Sequence, residues 1–265
     1  MRKPSELIQT NAWAGEPVFV IGGGPSLKGF DWSSIRHFKR VGVNCAFDHN
    51  PEVCCFIDQR VPELYVKNGE YYKSSTIKLI DQGAQPALNW LEKKCKNTAW
   101  LRKNDSRVRW PSTINGPYRI PNNTGFYGIQ VADMLGGNPI FLLGFDMKGK
   151  PGIGHNSKKP VKNAPANWHN HYPRDWMGDE TPFDKWIKEL NKFHDLVRGQ
   201  VYNCNPDSAL ECFPKITAEC GIRMAWSHYV PIAEGKRKTL MKGPDDGKAT
   251  ARAVLGDVQA VASST

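Results

Sequence analysis

Val18-Phe19-Val20-Ile21-Gly22-Gly23-Gly24-Pro25-Ser26-Leu27 carries an apolar run straight into a glycine triplet and a Pro-Ser pair. Four apolar residues ending at glycine predict a strand buried on both faces. The glycines then permit φ > 0 and a close approach of backbone to ligand. Amides that follow such a strand can point at an anion, above all where a helix begins. The ligand expected at Gly22, Gly23, Gly24, Pro25 and Ser26 is a nucleotide or nucleotide sugar. The run has neither the Walker lysine nor the spaced glycines of a dinucleotide fingerprint, which disfavours a plain NTPase or dehydrogenase. A tight turn without a ligand is the competing reading.

Outward from this run, residues 40–47 and 53–58 read as two more short, nearly all-apolar strands. Strands of that kind belong in parallel sheets covered by helices. Residues 86–96 and 125–135 carry apolar residues at helical spacing, and Asn123 or Thr124 would cap the second of these helices. A buried strand follows at 139–146. Thr181-Pro182-Phe183-Asp184 sets a capping threonine before a proline, so a helix is expected from there to about 198. Residues 200–204 make a last strand and 208–214 close the fold. The sum is an α/β architecture, a Rossmann-like, mostly parallel sheet flanked by helices. Residues 148–179 hold glycines, prolines, lysines and histidines with few aliphatics, and are expected to form a long lid.

With 265 residues, 40% apolar and 23% charged, the chain can build one sizeable core. We expect a single nucleotide-binding domain over 1–234 and a disordered basic tail over 235–265. The formal charge is +10, and the tail supplies six basic and three acidic residues, so +7 belongs to the body. That surplus favours anionic partners but contains no recognition motif for nucleic acid. The tail segment Lys236-Arg237-Lys238 reads as solubilising, with nucleic-acid binding as the alternative. Seven cysteines without a Cys-x-x-Cys pair read as reduced core thiols, and their spacing gives no support to a zinc site. No apolar run reaches the length of a membrane span or a signal sequence, so a soluble, cytoplasmic protein is expected.

Taken in this order, the segments resemble the bacterial sialyltransferases that open on Gly-x-Gly-Pro-Ser-Leu. They also resemble the wider DUF115-type group, which includes archaeal 6-hydroxymethylpterin diphosphokinases, motility accessory factors and phage-encoded proteins. The phage-encoded members are nearest in texture. The resemblance runs over about residues 17–215 through Asn123-Thr124-Gly125, Leu143-Gly144-Phe145-Asp146-Met147, a histidine-rich loop, and Asn203-Cys204-Asn205-Pro206-Asp207-Ser208. It implies that the glycine turn cradles the phosphate of a CMP-sugar and that Asn44 and Thr124-Gly125 contact the nucleotide. It further implies that His169 or His171, in the lid, is the general base on the acceptor hydroxyl. Asp58 falls where the sialyltransferases carry a second asparagine, and Gly23 replaces a polar residue. Met147 and Lys148 stand where a phosphate-holding tyrosine would be, so that task falls to Lys148, Lys150, Tyr172 or a metal ion.

Asp58 and Asp146 are both expected at the carboxyl ends of parallel strands, where open α/β sheets bind ligands. Each can accept a ribose or sugar hydroxyl, hold Mg²⁺ between phosphates, or cap the next helix. The leading expectation is a glycosyltransferase that uses a nucleotide sugar as co-substrate and acts on a glycan or on modified phage DNA. The alternatives are a Mg²⁺-dependent pyrophosphokinase with Asp58 and Asp146 as metal ligands, and a noncatalytic nucleotide-binding phage protein.

Overall fold

A computed structural model describes residues 2–58, 60–84, 90–102, 110–118, 123–148 and 183–241. Seven strands form one sheet: β1 Val18–Ile21, β2 Lys39–Val43, β3 Val53–Phe56, β4 Ile77–Asp81, β5 Thr98–Leu101, β6 Ile140–Leu143 and β7 Val201–Asn203. Their order is β5-β4-β3-β2-β1-β6-β7, and every pairing is parallel. The chain winds outward from β1 to β5, then crosses back to lay β6 on the other side of β1. The strand order therefore reverses between β1 and β6, and ligands of open α/β sheets bind at the carboxyl edge of such a reversal. The fold is Rossmann-like.

The helices among the described residues are α1 Arg60–Lys67, α2 Glu70–Lys73, α3 Leu91–Lys94, α4 Thr124–Met134, α5 Phe183–Phe193 and α6 Ala218–Met241. Alternation along the strands splits the interior into two cores. Val53, Cys55 and Leu79 join the core under α4, while Cys54, Phe56 and Ile80 join a smaller core with Tyr65 and Tyr71 of α1 and α2. Helix α4 is buried from Gly125 to Met134. It lies close against the sheet because Gly128 has no side chain: a Cβ there would stand 2.9 Å from Val43 Cγ2 and 3.0 Å from Val20 Cγ1. Asp133, 1% exposed, pins α4 to two other segments. It accepts from Trp110 Nε1 at 2.8 Å, from the Arg198 amide at 2.9 Å and from Arg198 Nε at 3.2 Å.

Several sequence expectations are corrected. The second strand ends at Val43, and residues Asn44–His49 form a 3-10 helix. Asn44 breaks the strand by taking φ 54°, and Cys45, Ala46 and Phe47 stay buried on the helical turn that follows. A helix over 86–96 is seen only as α3, with Cys95 already extended; 85–89 lie outside the described residues. The helix expected to reach 198 ends at Phe193 and continues as a 3-10 turn over His194–Leu196. By chain contacts the protein divides into Met1–Ala225 and Trp226–Thr265. Helix α6 carries regular structure to Met241, into the stretch expected to be a tail, and 242–265 lie outside the described residues. No described helix is long and apolar enough to cross a membrane.

Replacing Asp133 by Ala leaves the part-buried Trp110 indole and the Arg198 donors without their acceptor. Urea unfolding should show a loss of about 2–3 kcal/mol, since the partner Arg198 is half exposed and recovers some hydration. A loss below about 0.5 kcal/mol, the size of an ordinary surface change, would contradict the pinning role.

Candidate functional site

The residues just past the carboxyl ends of β2, β1, β6 and β7 are Asn44, Gly22, Gly144 and Cys204. The register that pairs Ile21 with Gly42 and with Leu143 brings Asn44 level with Gly23, and Gly22 level with Gly144. The turn after β1 is stitched to the turn after β6: Gly22 N donates to Leu143 O at 2.7 Å and Gly24 N to Gly144 O at 2.8 Å. Gly24 has to be glycine, because a Cβ there would fall inside the Asp146 carboxylate and 2.6 Å from Gly144 O. Gly144 itself takes φ 71°.

Asp146, 4% exposed, closes the turn. Its Oδ2 accepts from the Ser26 amide at 2.9 Å, and its Oδ1 accepts from Asn205 Nδ2. Its carbonyl accepts from the Ala209 amide at 2.9 Å, and Ser208 Oγ donates to Phe145 O at 2.6 Å. The expectation that Ser26 offers its amide to a ligand therefore needs revision, because that amide already serves Asp146. The structure gives Asp146 a positioning role on the glycine turn. Of the turn amides, Gly23 N takes no acceptor among the described residues.

The second donor group is the start of α4. Of the two caps open in the sequence, Asn123 and Thr124, Asn123 takes the role, with its Oδ1 accepting from Phe126 N at 3.1 Å. The amides of Thr124 and Gly125 come before the first intrahelical bonds and have no acceptor among the described residues. The Phe145 ring joins this helix start to the glycine turn. A Cβ on Gly22 would lie 3.2 Å from one edge of the ring, and a Cβ on Gly125 2.9 Å from the other. Gly22 and Gly125 thus flank one aromatic ring. Asn44 completes the edge: its Oδ1 is buried and takes no hydrogen bond among the described residues. An unpaired buried acceptor costs stability for as long as no donor reaches it.

Asp58 stands apart from this group, one strand further out after β3. Its carboxylate accepts from the Arg60 amide at 3.0 Å and from Arg60 Nε at 3.0 Å, the helix-capping role that competed in the sequence. Burial opposes its ionisation, but the Arg60 hydrogen bonds and charge outweigh burial and hold the carboxyl below its ordinary 3.8. Lys148, in the turn that follows β6, is exposed, and Met147 takes φ 49°. His169, His171, Lys150 and Tyr172 lie outside the described residues, with nearly all of the expected lid. Sequence reasoning overlooked Phe145, Asn205 and Ser208. The available signal was the density of polar residues in Asn203–Ser208, of which the structure buries Asn203, Asn205 and Ser208.

The structure of MAf glycosyltransferase from Magnetospirillum magneticum AMB-1 is similar to this one, with a TM-score of 0.52. The chain shares its fold with a glycosyltransferase. The identity is 13%, and the match covers 94% of this chain but 46% of the other, so this chain spans about half the length of that protein. At that identity the likeness establishes the fold. No protein-family model matches the chain, and no curated protein matches it.

Because the folded state lowers the Asp58 pKa, its contribution to stability is complete above about pH 3.8 and is lost as pH falls through the lower folded value. Asp58→Asn should flatten the acid limb of a stability-against-pH curve. An unchanged acid limb would show that Arg60 does not hold the carboxylate.

Proposed function

We propose that the chain is a glycosyltransferase-like enzyme that binds a nucleotide sugar at the β1/β6 carboxyl edge and transfers the sugar to an acceptor hydroxyl. The observation that carries this reading is the convergence of three unfilled groups on one edge: the Gly23 amide, the Thr124 and Gly125 amides, and Asn44 Oδ1. The amides suit a phosphate, and the positive end of the α4 dipole lies behind two of them. The Asn44 carbonyl suits a hydroxyl or amine of the nucleoside. In this reading the acceptor hydroxyl loses its proton to His169 or His171 as its oxygen bonds to the sugar carbon. The bond from that carbon to the nucleotide phosphate breaks, and the new charge falls on the phosphate held by the helix start. Lys148, exposed beside the edge, adds a cation for that charge. A CMP-linked donor and an acidic acceptor, including modified phage DNA, fit the resemblance and the +10 charge.

The alternative with Mg²⁺ held by Asp58 and Asp146 has less support, because both carboxylates already serve protein donors. A thermal-shift panel separates the readings, since a ligand of the folded state raises stability by mass action. CMP-, UDP- or GDP-sugars should raise the midpoint without Mg²⁺, and Asn44→Ala should abolish the rise. A rise with ATP only when Mg²⁺ is present would overturn the transfer reading.

A further inference from the structure

Lys78 sits near the amino end of β4 with no exposed surface, on the side of the sheet away from α4. Its ammonium has no carboxylate partner among the described residues. Nζ instead donates to Ser74 O at 2.7 Å and lies 3.7 Å from Cys95 Sγ. The rings of Tyr71 and Phe47 flank it at 5.2 and 5.7 Å. A lysine in such a pocket holds its charge poorly, because the rings and one carbonyl replace a full hydration shell. Burial accordingly pushes its pKa below the ordinary value, with the neighbouring Cys95 opposing that shift. The pair is therefore an amine in a pocket that disfavours its charge, 3.7 Å from a sulfur. Cys95 is 6% exposed and directly follows the four-residue helix α3.

We propose that Lys78 and Cys95 form an oxidative modification site, where hydrogen peroxide joins Nζ to Sγ through one oxygen atom. In the first step peroxide transfers oxygen to the Cys95 sulfur, giving the sulfenic acid and one water. In the second step a second peroxide accepts two electrons as the Nζ–O bond forms. One N–H hydrogen and the sulfenic O–H hydrogen leave in two waters. The sum is RNH₂ + R′SH + 2 H₂O₂ → RNH–O–SR′ + 3 H₂O, a four-electron oxidation that a thiol reductant reverses. The bridge ties β4 to the segment that leads into β5, where Lys78 N already donates to Asn97 O at 2.7 Å. The geometry favours the bridge over terminal oxidation because the amine stands 3.7 Å from the sulfur, with Lys78 fully buried.

Peptide mass spectrometry of the full-length chain after peroxide treatment tests this. A linked pair of peptides containing Lys78 and Cys95 should appear, heavier than the sum of the two by about 14 Da, one oxygen gained and two hydrogens lost. Dithiothreitol should return both peptides. Cys95→Ser should abolish the linked species, as should Lys78→Met, and the wild-type peptide map decides the matter even if a variant fails to fold. Cys95 found as sulfinic acid, about 32 Da heavier with Lys78 free, would overturn the proposal. So would a Cys54–Cys95 disulfide, or both residues unmodified once Cys212 and Cys220 have reacted.

Discussion

The carboxylate of Asp146 is the contact on which the candidate site depends. Buried and flanked by two amide donors, it takes the Ser26 N–H on one oxygen and the Asn205 side chain on the other. A buried charge of this kind is tolerable only when its lone pairs are filled, so the three segments it joins are held in one arrangement. Those segments are the glycine turn after β1, the end of β6 and the loop after β7. Gly24 is forced by the same carboxylate, since any side chain there would displace it. The glycines of the turn thus serve the protein's own closure and leave the Gly23 amide at the edge without an acceptor among the described residues.

Much of the fold was legible in the sequence for a simple reason. Strands buried on both faces read as unbroken apolar runs, and β1, β3 and β6 are of that kind. The cap was legible to within two residues, because Asn123 and Thr124 are both good capping types before an apolar helix. The end of β2 was not. Cys45, Ala46 and Phe47 are as buried on the 3-10 turn as strand residues would be, so an apolar run cannot mark the change; the break lies in the backbone of Asn44. The partnership of Asp146 with Asn205 was beyond sequence reading too, because 59 residues, most of them the expected lid, separate the two.

Asp58 and Asp146 look alike in sequence, each closing an apolar strand, yet the structure uses them differently. Asp58 has a guanidinium two residues away and accepts from the first amide of α1, while Asp146 makes no ion pair among the described residues and is held by the Ser26 and Asn205 amides. The difference directs attention from the carboxylates to the amides at the edge. It also explains why a shared fold with a glycosyltransferase, at 13% identity, leaves the chemistry to be argued from the site.

The central claim is that the Gly23 amide and the start of α4 hold the phosphate of a nucleotide donor. Titrating a nucleotide sugar into ¹⁵N-labelled protein and following backbone amide resonances tests it most directly. The Gly23, Thr124 and Gly125 amides should shift together and saturate at one affinity, with Ser26, already bonded to Asp146, moving least. Saturable shifts confined to other amides, with those three unchanged, would contradict the account.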